Sequence, residues 1–191
     1  MKCFGLDPSS GSYLEIEYDS IINAVDTLID TPADPLYITP AWIDLQVNGY
    51  AAVDYNSPDT PVEEIARSID VIHSTGTGRF YPTVITGSPD RMVGSLRNLA
   101  RAKSELAKGG SMEGFHVEGP HICPDEGPRG AHPVECVRAP DVEEYRRWQD
   151  ATGGLVRLVT LSPEWPEAPR YIETLVDDGV VVSIGHTKAN S

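Results

Sequence analysis

The chain changes rhythm near residue 40. Before it, Tyr13-Leu14-Glu15-Ile16-Glu17-Tyr18 alternates weakly between apolar and polar positions, and Ile21-Ile22-Asn23-Ala24-Val25 follows a break at Asp19-Ser20. Both patterns predict short strands of an antiparallel sheet. Asp34-Pro35 and Thr39-Pro40 then punctuate the chain. Beyond them, short apolar runs alternate with longer amphipathic segments. The runs predict strands over 41–45, 79–84, 112–117, 155–161 and 180–184. The intervening segments predict helices from Pro61 to about Ser74, Pro89 to about Leu106, Asp141 to Asp150 and Glu167 to Asp177. Thr60 and Ser88 read as N-caps, each followed by a proline in the first turn, and Gly76 and Gly109-Gly110 read as stops. Asp141, Glu143 and Glu144 read as a solvated helix start whose charges suit the helix dipole.

These five strands are apolar nearly throughout, as strands buried on both faces of a parallel sheet should be. Repeated βα units of this kind build either a doubly wound sheet or a (β/α)8 barrel. No glycine-rich G-x-G-x-x-G turn follows the first strand, so a dinucleotide-binding fold has no positive support.

At 191 residues the chain can bury a substantial core, and 40% hydrophobic with 23% charged residues is ordinary for a globular protein. A net charge of −14 argues against nucleic-acid and anionic-membrane partners, because no basic stripe exists to release counterions. It leaves room for an anionic small substrate held by a local cradle. Cys3, Cys123 and Cys136 lack any C-x-x-C spacing and read as reduced thiols of a cytoplasmic protein. The first residues have neither a basic nor an apolar signal region, and no apolar run approaches the roughly 18 residues of a membrane span.

In either parallel fold the chemistry gathers at the C-terminal ends of the strands. After the first such strand, Gln46 and Asn48 are two residues apart and point the same way if the chain is extended. They are either a polar strand end satisfied by backbone or part of a site. After the third, Phe115-His116-Val117-Glu118-Gly119-Pro120 places a carboxylate at the end of a buried strand. That is costly unless the group is paired or bound to a metal. His116 on the same face is either a hydrogen-bonded core residue or a support for the site. The Gly- and Pro-rich segment that follows, with His121, Cys123 and Gly130-Ala131-His132-Pro133, suits a substrate loop. After the fifth strand, Ser183-Ile184-Gly185-His186-Thr187 offers an imidazole just past a strand, either as a metal ligand or as a satisfied polar group. His116-x-Glu118 without a P-C-x-x-C partner excludes a zinc nucleoside deaminase.

Five segments carry a resemblance in order along the chain. Pro40-Ala41-Trp42-Ile43-Asp44-Leu45-Gln46-Val47-Asn48-Gly49 resembles the P-G-[FW]-I-D-x-Q-x-N-G segment of N-acetylglucosamine-6-phosphate deacetylases, within the amidohydrolase superfamily. Thr77-Gly78-Arg79-Phe80-Tyr81-Pro82-Thr83 resembles their second strand, and His116-Val117-Glu118-Gly119-Pro120 their H-[LV]-E-G-P. Gly130-Ala131-His132-Pro133 and Ser183-Ile184-Gly185-His186-Thr187 are similar to their G-[AT]-H and S-x-G-H-[ST] motifs.

The resemblance implies an α/β fold, part of a (β/α)8 barrel of about five βα units over 40–191, preceded over 1–39 by part of a small β-sandwich. It implies hydrolysis of the acetamide of N-acetylglucosamine 6-phosphate to glucosamine 6-phosphate and acetate. Glu118 and His186 carry over as ligands of one divalent metal, zinc, and Ala131 and His132 as substrate contacts. Gln46 and Asn48, where most amidohydrolases have H-x-H, imply a single-metal site. The stretch Pro124-Asp125-Glu126-Gly127-Pro128-Arg129 is longer than the family's usual loop. No counterpart of the family's third metal histidine, phosphate loop or catalytic aspartate lies before Ser191, so the chain is expected to be an inactive portion of a homo-oligomeric enzyme. The rival expectations are another amidohydrolase acting on a cyclic amide or amine, and a non-catalytic sugar-phosphate-binding remnant.

Overall fold

A computed structural model describes residues 1–189. The chain divides into two compact units, Met1–Ala41 and Trp42–Ser191. In the first, β1 (Lys2–Leu6), β2 (Tyr13–Tyr18) and β3 (Ile22–Leu28) form an antiparallel sheet in that order. The alternation of residues 13–18 correctly marks β2, and Ile22 opens β3. The weakly patterned Lys2-Cys3-Phe4-Gly5-Leu6 becomes a strand because β2 offers it a ladder from Lys2–Glu17 to Leu6–Tyr13.

The second unit is built on β4 (Trp42–Val47), then a short hairpin of β5 (Gly49–Tyr50) and β6 (Val53–Asp54). There follow α1 (Val62–Ser74), β7 (Thr77–Ile85), α2 (Pro89–Glu105), β8 (Phe115–Glu118), α3 (Val142–Thr152), β9 (Val156–Leu161), α4 (Ala168–Asp177) and β10 (Val181–Ile184). Five strands pair in parallel in the order β4-β7-β8-β9-β10. Each new strand is added on the same side of the last. A doubly wound sheet reverses direction at a switch point, whereas a (β/α)8 barrel does not. The topology is therefore that of about five units of a barrel wall.

The helices bury the stripes their spacing predicts. Ile65, Ile69 and Ile72 of α1, Met92, Leu96 and Leu99 of α2, Tyr145 and Trp148 of α3, and Tyr171 and Leu175 of α4 are at most 3% exposed. Ser88 caps α2, accepting from Arg91 N at 3.4 Å, with Pro89 at the first helical position. Thr60 does not cap α1. Pro61 takes that place with no side-chain cap, and the Thr60 hydroxyl instead donates to the Asp54 carbonyl at 2.6 Å.

Two further expectations need correction. Not every strand of the sheet is buried. β7, β8 and β9 have neighbours on both sides, but β4 and β10 each have one. Trp42, Ile43, Leu45, Val181 and Ile184 on those outer strands remain more than half exposed. Nor is the start of α3 wholly solvated. Asp141 does cap the helix, accepting from Glu143 N at 2.9 Å. Glu144 is 2% exposed and forms a two-point ion pair with Arg138, Nε to Oε2 at 2.8 Å and Nη2 to Oε1 at 2.5 Å. Arg138 also donates to the carbonyls of Gly87 and Cys136. A guanidinium carried inward between three segments requires a carboxylate, and Glu144 is the one within reach.

Candidate metal centre

Among the five strands β8 is central, and all four of its residues are buried. Glu118 closes it at the C-terminal rim and is 8% exposed. One oxygen, Oε2, accepts from Gln46 Nε2 at 2.8 Å. The other, Oε1, lies 3.1 Å from His186 Nε2. β10 ends at Ile184, so His186 comes from the same rim two strands away. His132, from the loop after β8, lies against His186 with ring centroids 4.4 Å apart and planes at 66°. Donor atoms of Glu118, His132 and His186 all lie within 4.8 Å of one another.

Hydrogen bonds orient the donors. The Nδ1–H of His186 donates to the Pro128 carbonyl at 3.0 Å, which leaves a lone pair on the Nε2 that faces Glu118. Two acceptors 3.1 Å apart repel unless a cation, a proton or a metal, lies between them. His132 Nδ1 lies 2.7 Å from the Thr86 hydroxyl. With that hydroxyl turned to the Glu118 carbonyl, 3.5 Å away, His132 donates from Nδ1 and offers a lone pair at Nε2. Burial is the main cause pushing the His132 imidazole below its ordinary pKa, with the neighbouring His186 adding to it and Glu118 opposing it. A neutral imidazole is the ligating form. One carboxylate and two imidazoles, each held by an outer hydrogen bond, is a donor set suited to a borderline divalent cation. Bonds of about 2.0–2.2 Å put such donors up to about 4.4 Å apart, so this spread closes round an ion with small side-chain adjustments.

The remaining rim residues divide. Gln46 joins the group through Glu118. Asn48 lies beyond the end of β4, after a register shift between Asp44 and Val47, so the two amides do not share a regular strand face. The Asn48 carbonyl accepts from Tyr55 N and Asn56 Nδ2. His116 is a hydrogen-bonded core residue. Its Nε2 lies 2.8 Å from the Thr160 hydroxyl and its Nδ1 3.2 Å from the Leu45 carbonyl, and burial holds its pKa down. Ala131 is exposed beside His132. His121 and Cys123 are buried and stand outside the ligand group.

Sequence reasoning missed Thr86, the Pro128 carbonyl and the need for Gly119. Thr86 follows β7 directly, so the rule that strand C-termini carry function points to it. The other two are backbone roles without a side-chain signal. Gly119 has φ +76°, and a Cβ there would meet the Thr86 hydroxyl at 2.2 Å. Only glycine lets that hydroxyl stand so close to the end of β8.

No helix among the described residues is long and apolar enough to cross a membrane. No family model matches the chain. It is 32% identical over 166 residues to an N-acetylglucosamine-6-phosphate deacetylase of Bacillus subtilis, a match covering 85% of this chain and 41% of that protein. It is 29% identical over 177 residues to an N-acetylgalactosamine-6-phosphate deacetylase of Escherichia coli O157:H7, covering 90% of this chain and 45% of that one. An Asp-to-Ala mutant of the Mycobacterium smegmatis N-acetyl-D-glucosamine-6-phosphate deacetylase, solved with N-acetyl-D-glucosamine-6-phosphate, superposes with a TM-score of 0.78 at 29% identity, covering 93% of this chain and 46% of that one. In sequence and in fold the chain is a relative of the N-acetylglucosamine-6-phosphate deacetylases, spanning less than half the length of the relatives it matches.

Proposed function

We propose that this chain supplies the metal-holding rim of an amidohydrolase that removes the acetyl group of N-acetylglucosamine 6-phosphate, giving glucosamine 6-phosphate and acetate. The convergence of Glu118, His132 and His186 carries the reading. Glu118 and His186 would hold one divalent cation, for which zinc suits the donors, and His132 stands beside it at ligand distance. Bound there, the ion supplies Lewis acidity toward an amide carbonyl and a water. Gln46 holds one Glu118 oxygen and so fixes the direction of the other. Pro128 fixes the tautomer of His186, and Thr86 that of His132. His132 and the neighbouring Ala131 face the substrate in this reading. Glu118 is not the group that takes the proton, because both its oxygens are engaged. A second metal is not expected, since amides at Gln46 and Asn48 are poor zinc ligands. The identity with a galactosamine-type deacetylase makes the C4 epimer the alternative substrate.

The test is a chimera in which the matched segment of the Bacillus subtilis deacetylase is replaced by that of this chain. We expect metal-dependent acetate release from N-acetylglucosamine 6-phosphate, lost in E118Q. A folded chimera that binds metal yet releases acetate from neither epimer overturns the proposal.

A further inference from the structure

The sequence around His186 raises a problem that its ligand role alone does not solve. His186 has φ +51°, in the left-handed region that few non-glycine residues occupy. The usual occupant, glycine, is next door at Gly185 but is committed elsewhere. It packs so tightly that a Cβ would meet Thr160 Cγ2 at 2.8 Å. The unfavourable backbone therefore falls on the residue that carries the ring.

The turn is held from both sides. Ahead of it, Gly185 N donates to the Leu161 carbonyl at 3.0 Å. The His186 carbonyl accepts from Cys123 N at 3.0 Å. Behind it, the Thr187 hydroxyl and the Lys188 backbone N–H both donate to one oxygen, Glu164 Oε1, at 2.7 and 2.6 Å. Glu164 lies just past the end of β9, whose Leu161 is in register with Ile184 of β10. It thus reaches sideways across the rim to hold the two residues that follow the imidazole. A further tie on this segment, between the Lys188 ammonium and Asp125, joins two flexible exposed side chains and constrains the backbone little.

We propose that Glu164 is a positioning residue. Its carboxylate oxygen gathers Thr187 and Lys188, keeps His186 in its left-handed turn, and so aims Nε2 at Glu118. The inference rests on the metal reading above and extends it to a residue that touches neither ligand. Glu164 is exposed, and its bonds are local to this turn. A merely structural acid in such a place leaves metal affinity alone.

The experiment measures Zn²⁺ affinity by competition with a chromophoric chelator, in the 191-residue chain and its E164A, E164Q, E118A and H186A variants, each with a thermal melt. E164Q keeps an oxygen acceptor, whereas E164A removes it. We expect E164A to weaken binding by about 10- to 100-fold with little change in the melt, and E164Q to restore it to nearly the unsubstituted value. Wild-type affinity in E164A, with H186A impaired, overturns the role of Glu164 while leaving the metal site standing. So does an E164Q variant as weak as E164A, which would make the effect one of charge and not of hydrogen bonding. Unchanged binding in both E118A and H186A removes the metal site and this inference together.

Discussion

Acidification should unfold this protein partly through His121. The ring is fully buried, with Trp148 at 5.6 Å between centroids and Tyr171 edge-on at 5.1 Å. Its Nδ1–H donates to the Arg138 carbonyl at 3.2 Å, and its buried Nε2 has no hydrogen-bond partner among the described residues. A second proton would therefore be an unpaired donor in the core. Burial, opposed only in part by the Arg138 carbonyl and Glu144, lowers the pKa from 6.5 to about 4. The folded state thus binds this proton less readily than the unfolded chain. The full stability is present above about pH 6.5 and declines as pH falls toward 4. At about 1.4 kcal/mol per pKa unit, the loss is about 3 kcal/mol for this group. Urea unfolding followed by tryptophan fluorescence, at intervals from pH 7.5 to 4.5, measures it. H121F cannot titrate. It should be less stable at pH 7.5, because the Arg138 carbonyl loses its donor, by about 1 kcal/mol. It should also show a shallower acid slope than the unsubstituted chain. Parallel slopes in the two proteins, or an imidazole at position 121 titrating near pH 6.5 by NMR, refute the reasoning.

E144A leaves the half-buried Arg138 guanidinium without its carboxylate, so it should cost about 1–3 kcal/mol in urea unfolding, more than E143A at the exposed neighbour. Gly119→Ala should both strain a backbone at φ +76° and drive Thr86 from His132. We expect a loss of about 1–3 kcal/mol together with weakened metal binding, read by calorimetric melting and chelator competition, and an unchanged melt would contradict the close approach described for that glycine.

Local pattern was enough to place β7 to β10 and the four helices of the second unit, because an amphipathic period and a capping residue act over a few neighbours. The Ser88-Pro89 start of α2 needed no tertiary knowledge. The rule that chemistry sits at strand C-termini likewise singled out Glu118 and His186 as residues of interest. What that reading could not do was choose between a doubly wound sheet and a barrel wall, since both repeat the same βα unit. The order in which the strands pair decides that, and pairing is a long-range property. Similarly, Glu144 looks like any acid in a first helical turn. Its burial depends on Arg138 arriving from the preceding loop. His116 and His132 are both single histidines near polar neighbours in the sequence. The structure turns one toward the Thr160 hydroxyl and the Leu45 carbonyl and the other toward Glu118 and His186, because one lies within the central strand and the other on a loop that folds back over its end. Thr86, the Pro128 carbonyl and Glu164 act only through distances set by that folding, so no local pattern along the chain could announce them.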